Sequence, residues 1–114
     1  MFGVKELDAI SLKQMLDNDT EKKIRLIDVR SQGEYARGII EGGEFLPLHT
    51  LPARYHEFSE EDNLVFYCGS GNRSIQACRF LAQNTNIKAI NLRGGLFSWY
   101  QAGLEIVRPN VSWA

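Results

Sequence analysis

Cys68 opens the stretch Cys68-Gly69-Ser70-Gly71-Asn72-Arg73-Ser74, which carries the residue types that can do chemistry. A thiolate is a nucleophile and a thiol is not, so the neighbours must favour the anion. Gly69 and Gly71 let the backbone curl and turn its N–H groups inward, making a nest for negative charge. A helix read from Ser74 onward adds roughly half a positive charge at its N-terminus. Arg73 adds a full one. The expected result is a Cys68 of lowered pKa, with any anion on its sulfur held by the same groups. The plainer alternative is a buried cysteine closing a strand before a glycine turn. The coincidence of strand, Gly-x-Gly, Arg and helix start favours the chemical reading. No Lys-Ser/Thr follows the glycines, and no G-x-G-x-x-G is present, so neither nucleotide-binding loop fits.

Placing that loop requires strands and helices around it. Leu64-Val65-Phe66-Tyr67 leads into Cys68 as a short apolar run, entered from the acidic stretch Glu60-Glu61-Asp62-Asn63. Ile24 to Val29, around Asp28, and Ile87 to Leu92 are similar runs. Apolar runs that do not alternate suit strands covered on both faces, as in a parallel sheet. Between them lie segments of helical period. Ser11-Leu12-Lys13-Gln14 has capping-box spacing and predicts a helix through Leu16. Ser31 caps a second helix with Glu34, Tyr35 and Arg37, ending at Gly38. Thr50 to Phe58 reads as a third. Ser74 to Gln83 is the most regular, with Ala77, Cys78, Leu81 and Ala82 on one face. Leu96 to Ala102 is the last, stopped by Gly103. Strands alternating with helices predict a parallel α/β domain with right-handed crossovers. In such a sheet ligands bind at the carboxyl ends of the strands, where Cys68 stands.

Composition narrows the class. The chain has 114 residues, two cysteines and a formal net charge of -1. That length predicts one domain, read as residues 1–107 with a tail at 108–114. Thirteen basic against fourteen acidic residues leave no excess for a nucleic-acid backbone. No run reaches the ~18 apolar residues of a membrane span, and no secretory signal is visible. Two cysteines are too few for a disulfide framework or a four-thiolate zinc site. A cytoplasmic domain with free thiols is the expectation.

Three segments together resemble the rhodanese family of single-domain sulfurtransferases. Leu26-Ile27-Asp28-Val29-Arg30 with Glu34-Tyr35-Ala36-Arg37-Gly38-Ile39-Ile40-Glu41-Gly42-Gly43 is similar to the family's first signature. Cys68 to Ser74 is similar to its active loop. Leu92-Arg93-Gly94-Gly95 with Trp99 and Gly103 is similar to its C-terminal signature. The resemblance runs from about Glu6 to Val107. It implies a central five-stranded parallel sheet with helices on both faces. It implies sulfur transfer through a Cys68 persulfide, with Gly69, Ser70, Gly71, Asn72, Arg73 and Ser74 binding the sulfur anion, and no metal or organic cofactor. The donor it implies is thiosulfate or a thiol persulfide. The acceptor is cyanide, a thiol or a sulfur-carrier protein. Four residues separate Cys68 from Arg73, the loop size of the sulfurtransferases; the related phosphatases have one more. The chain departs from the family at Ile39, where His is usual, at Glu41-Gly42-Gly43 for Pro-Gly-Ala, and at Gly69, where a basic or polar residue is common. Gly69 removes a side-chain contact to a dianionic donor, which favours a thiol persulfide over thiosulfate.

Two other roles for the domain stay open here: a non-catalytic rhodanese-like interaction module, and a thiol redox sensor pairing Cys68 with Cys78. Cys78 is expected as a small core residue, roughly 10 Å from Cys68 at the helical rise, beyond disulfide reach. Asp28 either orients Arg73 or a loop amide, or forms a structural ion pair. Arg30 and Arg93 either draw an anion to the site or are surface charges. His49 and His56 stand outside any metal-ligand spacing. Gly94-Gly95 predicts a tight turn near the active loop, and Trp99 reads as core. The acidic run Glu57 to Asp62 reads as a solvated turn or a dock for a basic partner. Trp113 in the tail either packs on the domain or marks an interface.

Overall fold

A computed structural model describes residues 3–111 of the chain. Five strands form one sheet: β1 (Lys5–Leu7), β2 (Ile24–Asp28), β3 (Glu44–Phe45), β4 (Asn63–Tyr67) and β5 (Ala89–Leu92). Their order is β1-β5-β4-β2-β3 and every pairing is parallel. The helices are α1 (Ala9–Asn18), α2 (Gln32–Arg37), α3 (Leu51–Arg54), α4 (Asn72–Asn84) and α5 (Gly95–Gln101).

Each face of the sheet has its own core. Leu64 and Phe66 of β4 join Ala77, Cys78 and Leu81 of α4 and Leu51 of α3. Val65 and Tyr67, pointing the other way, join Leu12 of α1 and Leu96 and Trp99 of α5. Burial on both faces explains why β4 reads as an unbroken apolar run rather than an alternating one. The Trp99 indole donates to the Glu105 carbonyl at 2.9 Å, which satisfies its one polar atom inside the core.

Three helices differ from the sequence expectation. The first starts earlier, because Asp8 is the cap: its carboxylate accepts from the Ser11 amide at 2.8 Å. Both residues can cap, but the acidic one stands where the first turn begins and leaves Ser11 inside it. The segment from Thr50 to Phe58 is not one helix. Only Leu51–Arg54 is α-helical, flanked by 3-10 turns at Leu48–Thr50 and Tyr55–Glu57. Pro52 stands in the first turn of the α-helical part, where its missing amide is tolerated. The helix after Cys68 begins at Asn72, two residues before the expected start. The second helix is capped by Ser31 as expected, with Glu34 completing the box. Strands β1 and β3 have no counterpart among the runs read from sequence. Beyond α5, Ile39 and Val107 form an antiparallel bridge. Trp113 lies outside the described residues.

Candidate active site

The sheet brings three loops to one edge. Asp28 pairs with Tyr67 in register, so the chain after β2 and the chain after β4 leave side by side. The Val29 amide extends this pairing by donating to the Tyr67 carbonyl at 3.1 Å. Leu92 ends β5 beside them, and Gly94-Gly95 follows. Residues 29–34, 68–74 and 93–97 therefore meet at the carboxyl ends of the central strands.

Cys68 lies at the floor of this meeting point with no exposed surface. The Gly71 amide donates to its Sγ at 3.0 Å, and the Ser74 hydroxyl lies 3.4 Å from the same atom. Gly71 reaches that position with a φ of 102°, a left-handed backbone that side chains rarely adopt. Ser74 is itself fully buried, so its hydroxyl is fixed under the sulfur.

The loop's carbonyls are held from outside. The amides of Leu96 and Phe97, in the first turn of α5, donate to the carbonyls of Cys68 and Gly69 at 2.8 and 3.0 Å. A peptide unit whose C=O points outward presents neighbouring N–H groups inward, and that is the anion nest. Gly95 makes the approach feasible: a Cβ there would collide with the Cys68 carbonyl and lie 2.6 Å from the Gly69 carbonyl oxygen. The tight turn expected at Gly94-Gly95 thus clamps the loop that begins at Cys68.

These contacts decide the ionisation. Burial, the largest influence, pushes the Cys68 thiol up. Hydrogen bonds from the Ser74 hydroxyl and from the amides of Ser74, Gly71 and Ser70 outweigh it and hold the thiol below the ordinary cysteine range. Cys78, ten residues along, is also buried but has no such donors; burial, aided by the Glu6 carboxylate, pushes it up to about 12. Both cysteines are free.

Arg73 lies across the loop, its Nη2 3.4 Å from where a Gly69 Cβ would stand. Its partner is Glu34. The two form a bidentate pair at 2.7 and 2.9 Å, half-exposed at the mouth of the site. Glu34 also accepts from the Ser31 amide and hydroxyl at 3.2 and 2.9 Å. The Arg73 guanidinium, with help from Ser31, holds the Glu34 carboxyl down to about 2. Sequence reasoning placed Glu34 on α2 without a role in the site. The signal that could have found it was the box Ser31-x-x-Glu34, which puts that carboxylate in a first helical turn starting right after the strand end beside Cys68.

Asp28 and Arg30 resolve differently from the functional reading. Asp28 is fully buried and is paired with Arg30 at 2.8 Å, not with Arg73 or a loop amide. Arg30 also donates to the Gly38 carbonyl at 2.6 Å and is almost wholly buried, so its guanidinium is already engaged. The pair ties the end of β2 to the chain after α2. Arg93 is exposed and lies 3.7 Å from Glu6. Ser70 and Asn72 are exposed on the outer side of the loop. Beside Arg73, a groove of about 510 Å³ is lined by Val29, Pro47, Leu48 and His49 among others. Among the described residues no group of three or more His, Cys, Asp or Glu is placed to hold a metal ion. No helix among them is long and apolar enough to cross a membrane.

Residues 8–102 match the Rhodanese-like domain family. The chain is 43% identical over 106 residues to a sulfurtransferase of Allochromatium vinosum, covering 93% of this chain and 97% of that one. It is 31% identical to a putative sulfurtransferase of Bacillus subtilis, covering 84% and 90%. A rhodanese-like domain protein of Staphylococcus aureus has a similar solved structure, with a TM-score of 0.78 and 31% identity over 91% of this chain and 99% of that one.

Proposed function

The chain belongs to the rhodanese-like domain family, and from that premise we propose that it is a sulfurtransferase working through a Cys68 persulfide in the cytoplasm. The observation that carries this reading is the Cys68 sulfur seated among N–H and O–H donors, with its thiol lowered despite full burial.

In the first half-reaction the Cys68 thiolate attacks the outer sulfur of the donor. With a thiol persulfide, the donor's S–S bond breaks and its inner sulfur leaves as thiolate. With thiosulfate, sulfite leaves. A new S–S bond now joins Cys68 to the transferred sulfur. In the second half-reaction an acceptor nucleophile attacks that outer sulfur, the new bond breaks, and the Cys68 thiolate is regenerated. The electron count on the protein is unchanged, so no redox cofactor is called for. The donors that favour the thiolate also favour a persulfide anion, which places negative charge in the same nest. A thiol or a carrier protein serves as acceptor, and cyanide serves in the assay.

The donor reading favours a thiol persulfide. The groove beside Arg73 is largely apolar and gives an organic body somewhere to lie. The test is intact mass after incubation with thiosulfate or glutathione persulfide. Gain of one sulfur on the Cys68 peptide, lost on adding cyanide, is the expected outcome. No gain from either donor would refute the persulfide mechanism.

A further inference from the structure

A dianionic donor approaching Cys68 needs a cation, and the guanidinium at the mouth is Arg73. Glu34 already holds it in a two-point clasp. Arg30, the next guanidinium inward, is taken by Asp28 and the Gly38 carbonyl. We propose that Glu34 sets donor selectivity: it is an internal carboxylate that competes with doubly charged donors for Arg73, and so favours thiol persulfides over thiosulfate. This rests on the sulfurtransferase reading above.

Three features make the competition effective. The clasp is bidentate, the strongest form of an arginine–carboxylate contact. Glu34 is held ready by the Ser31 amide and hydroxyl, so little side-chain freedom is lost when it meets Arg73. It is also part of the same chain, so a free donor at ordinary concentration meets a competitor at high effective concentration. A thiol persulfide avoids the contest. Its sulfane sulfur carries at most one charge, which the amides of the nest can hold. Its organic part can lie against Val29, Pro47 and Leu48, so its binding depends less on the Arg73 guanidinium that shares the groove.

The clasp also occupies space. Gly69 contributes no side chain, and Arg73 passes over that position. In Glu34→Gln the side-chain carbonyl oxygen would keep accepting from the Ser31 amide while the charge is removed, since Gln also completes a capping box.

The experiment measures kcat/KM for thiosulfate and for 2-hydroxyethyl persulfide, whose organic part is uncharged, with cyanide as common acceptor, on the full chain. In E34Q the thiosulfate-to-persulfide ratio should rise about tenfold, the scale of one charge-assisted contact, chiefly through a lower thiosulfate KM. The same change in an R73Q background should shift the ratio less than about twofold, because the contested group is gone. If E34Q fails to fold, E34D serves: its shorter side chain weakens the clasp and should move the ratio in the same direction. A ratio that stays put or falls in the folded variant overturns the proposal, and so does a full shift that persists without Arg73. Wild-type protein that forms no persulfide from either donor overturns the sulfurtransferase reading as well. Persulfide formation from both donors with an unmoved ratio overturns the selectivity role alone.

Discussion

Cys68 and Cys78 stand at the two ends of one comparison. Both are buried, both are free, and both belong to the same core cluster beneath α4. Burial pushes both thiols up. Yet one ends below the ordinary range and the other at about 12. Exposure does not separate them, nor does the core cluster they share. The difference is the donors: Cys68 stands before the first turn of α4, where unpaired amides and the Ser74 hydroxyl converge, and Cys78 stands within it, where the amides are already bonded along the helix. Which way a buried thiol shifts here is a matter of where along α4 the sulfur stands.

The comparison breaks most sharply at the sulfur. Cys68→Ser should abolish transfer, by on the order of 10⁴-fold or more, with the fold retained; circular dichroism and a turnover assay check both halves. Activity near wild type would mean that the donors around Sγ serve structure alone. Gly95→Ala comes next. Its Cβ would strike the two carbonyls that α5 clamps, at a φ of 60°, and should cost about 3 kcal/mol in denaturant melts. An unchanged midpoint would show that the clamp is loose.

Removing one donor sharpens the contrast instead. Ser74→Ala should raise the Cys68 thiol, read from the pH dependence of iodoacetamide alkylation. The sign follows from the chemistry: the hydroxyl stabilises the anion, so its loss shifts the alkylation profile to higher pH. Cys78→Ala should cost about 1 kcal/mol of stability and leave transfer within twofold. A large loss of activity without unfolding would revive the redox pairing of the two thiols.

The smallest effect concerns Glu34. Its folded pKa is lowered to about 2 from an ordinary 4.5, so its clasp with Arg73 stabilises the fold fully above about pH 4.5. That contribution is lost as pH falls from there toward 2. The gap in melting temperature between wild type and E34Q should close over that window. A gap that stays constant through it would place the stabilisation elsewhere.

The loop and the central strands were legible because local pattern and tertiary setting agree. β4 is apolar along residues 64–67 since both its faces are covered, and Gly71 after it has a backbone angle that only glycine adopts readily. β1 and β3 were not legible. They span three and two residues and include Lys5, Glu6 and Glu44, so no apolar run marks them. They are strands because a neighbour pairs with them at the sheet's edges, which no local window records. The Glu34–Arg73 clasp failed for the same kind of reason: its partners are 39 residues apart, and only the register of β2 on β4 brings them together. Asp28 stayed open in the sequence because a carboxylate near a strand end reads equally well as site or scaffold. Here Arg30, two residues on, claims it.

Cys68 is packed in the cluster that seats α4 on the sheet, alongside Phe66, Ala77 and Leu81. The proposed nucleophile is thus a core residue as well. Mutational tolerance follows from that double membership. A substitution at Phe66 or Leu81 that merely loosens packing tilts α4, and with it the Ser74 hydroxyl and the loop amides. Such variants should lose reactivity while still folded, so a screen for activity on this domain is also a screen for its packing.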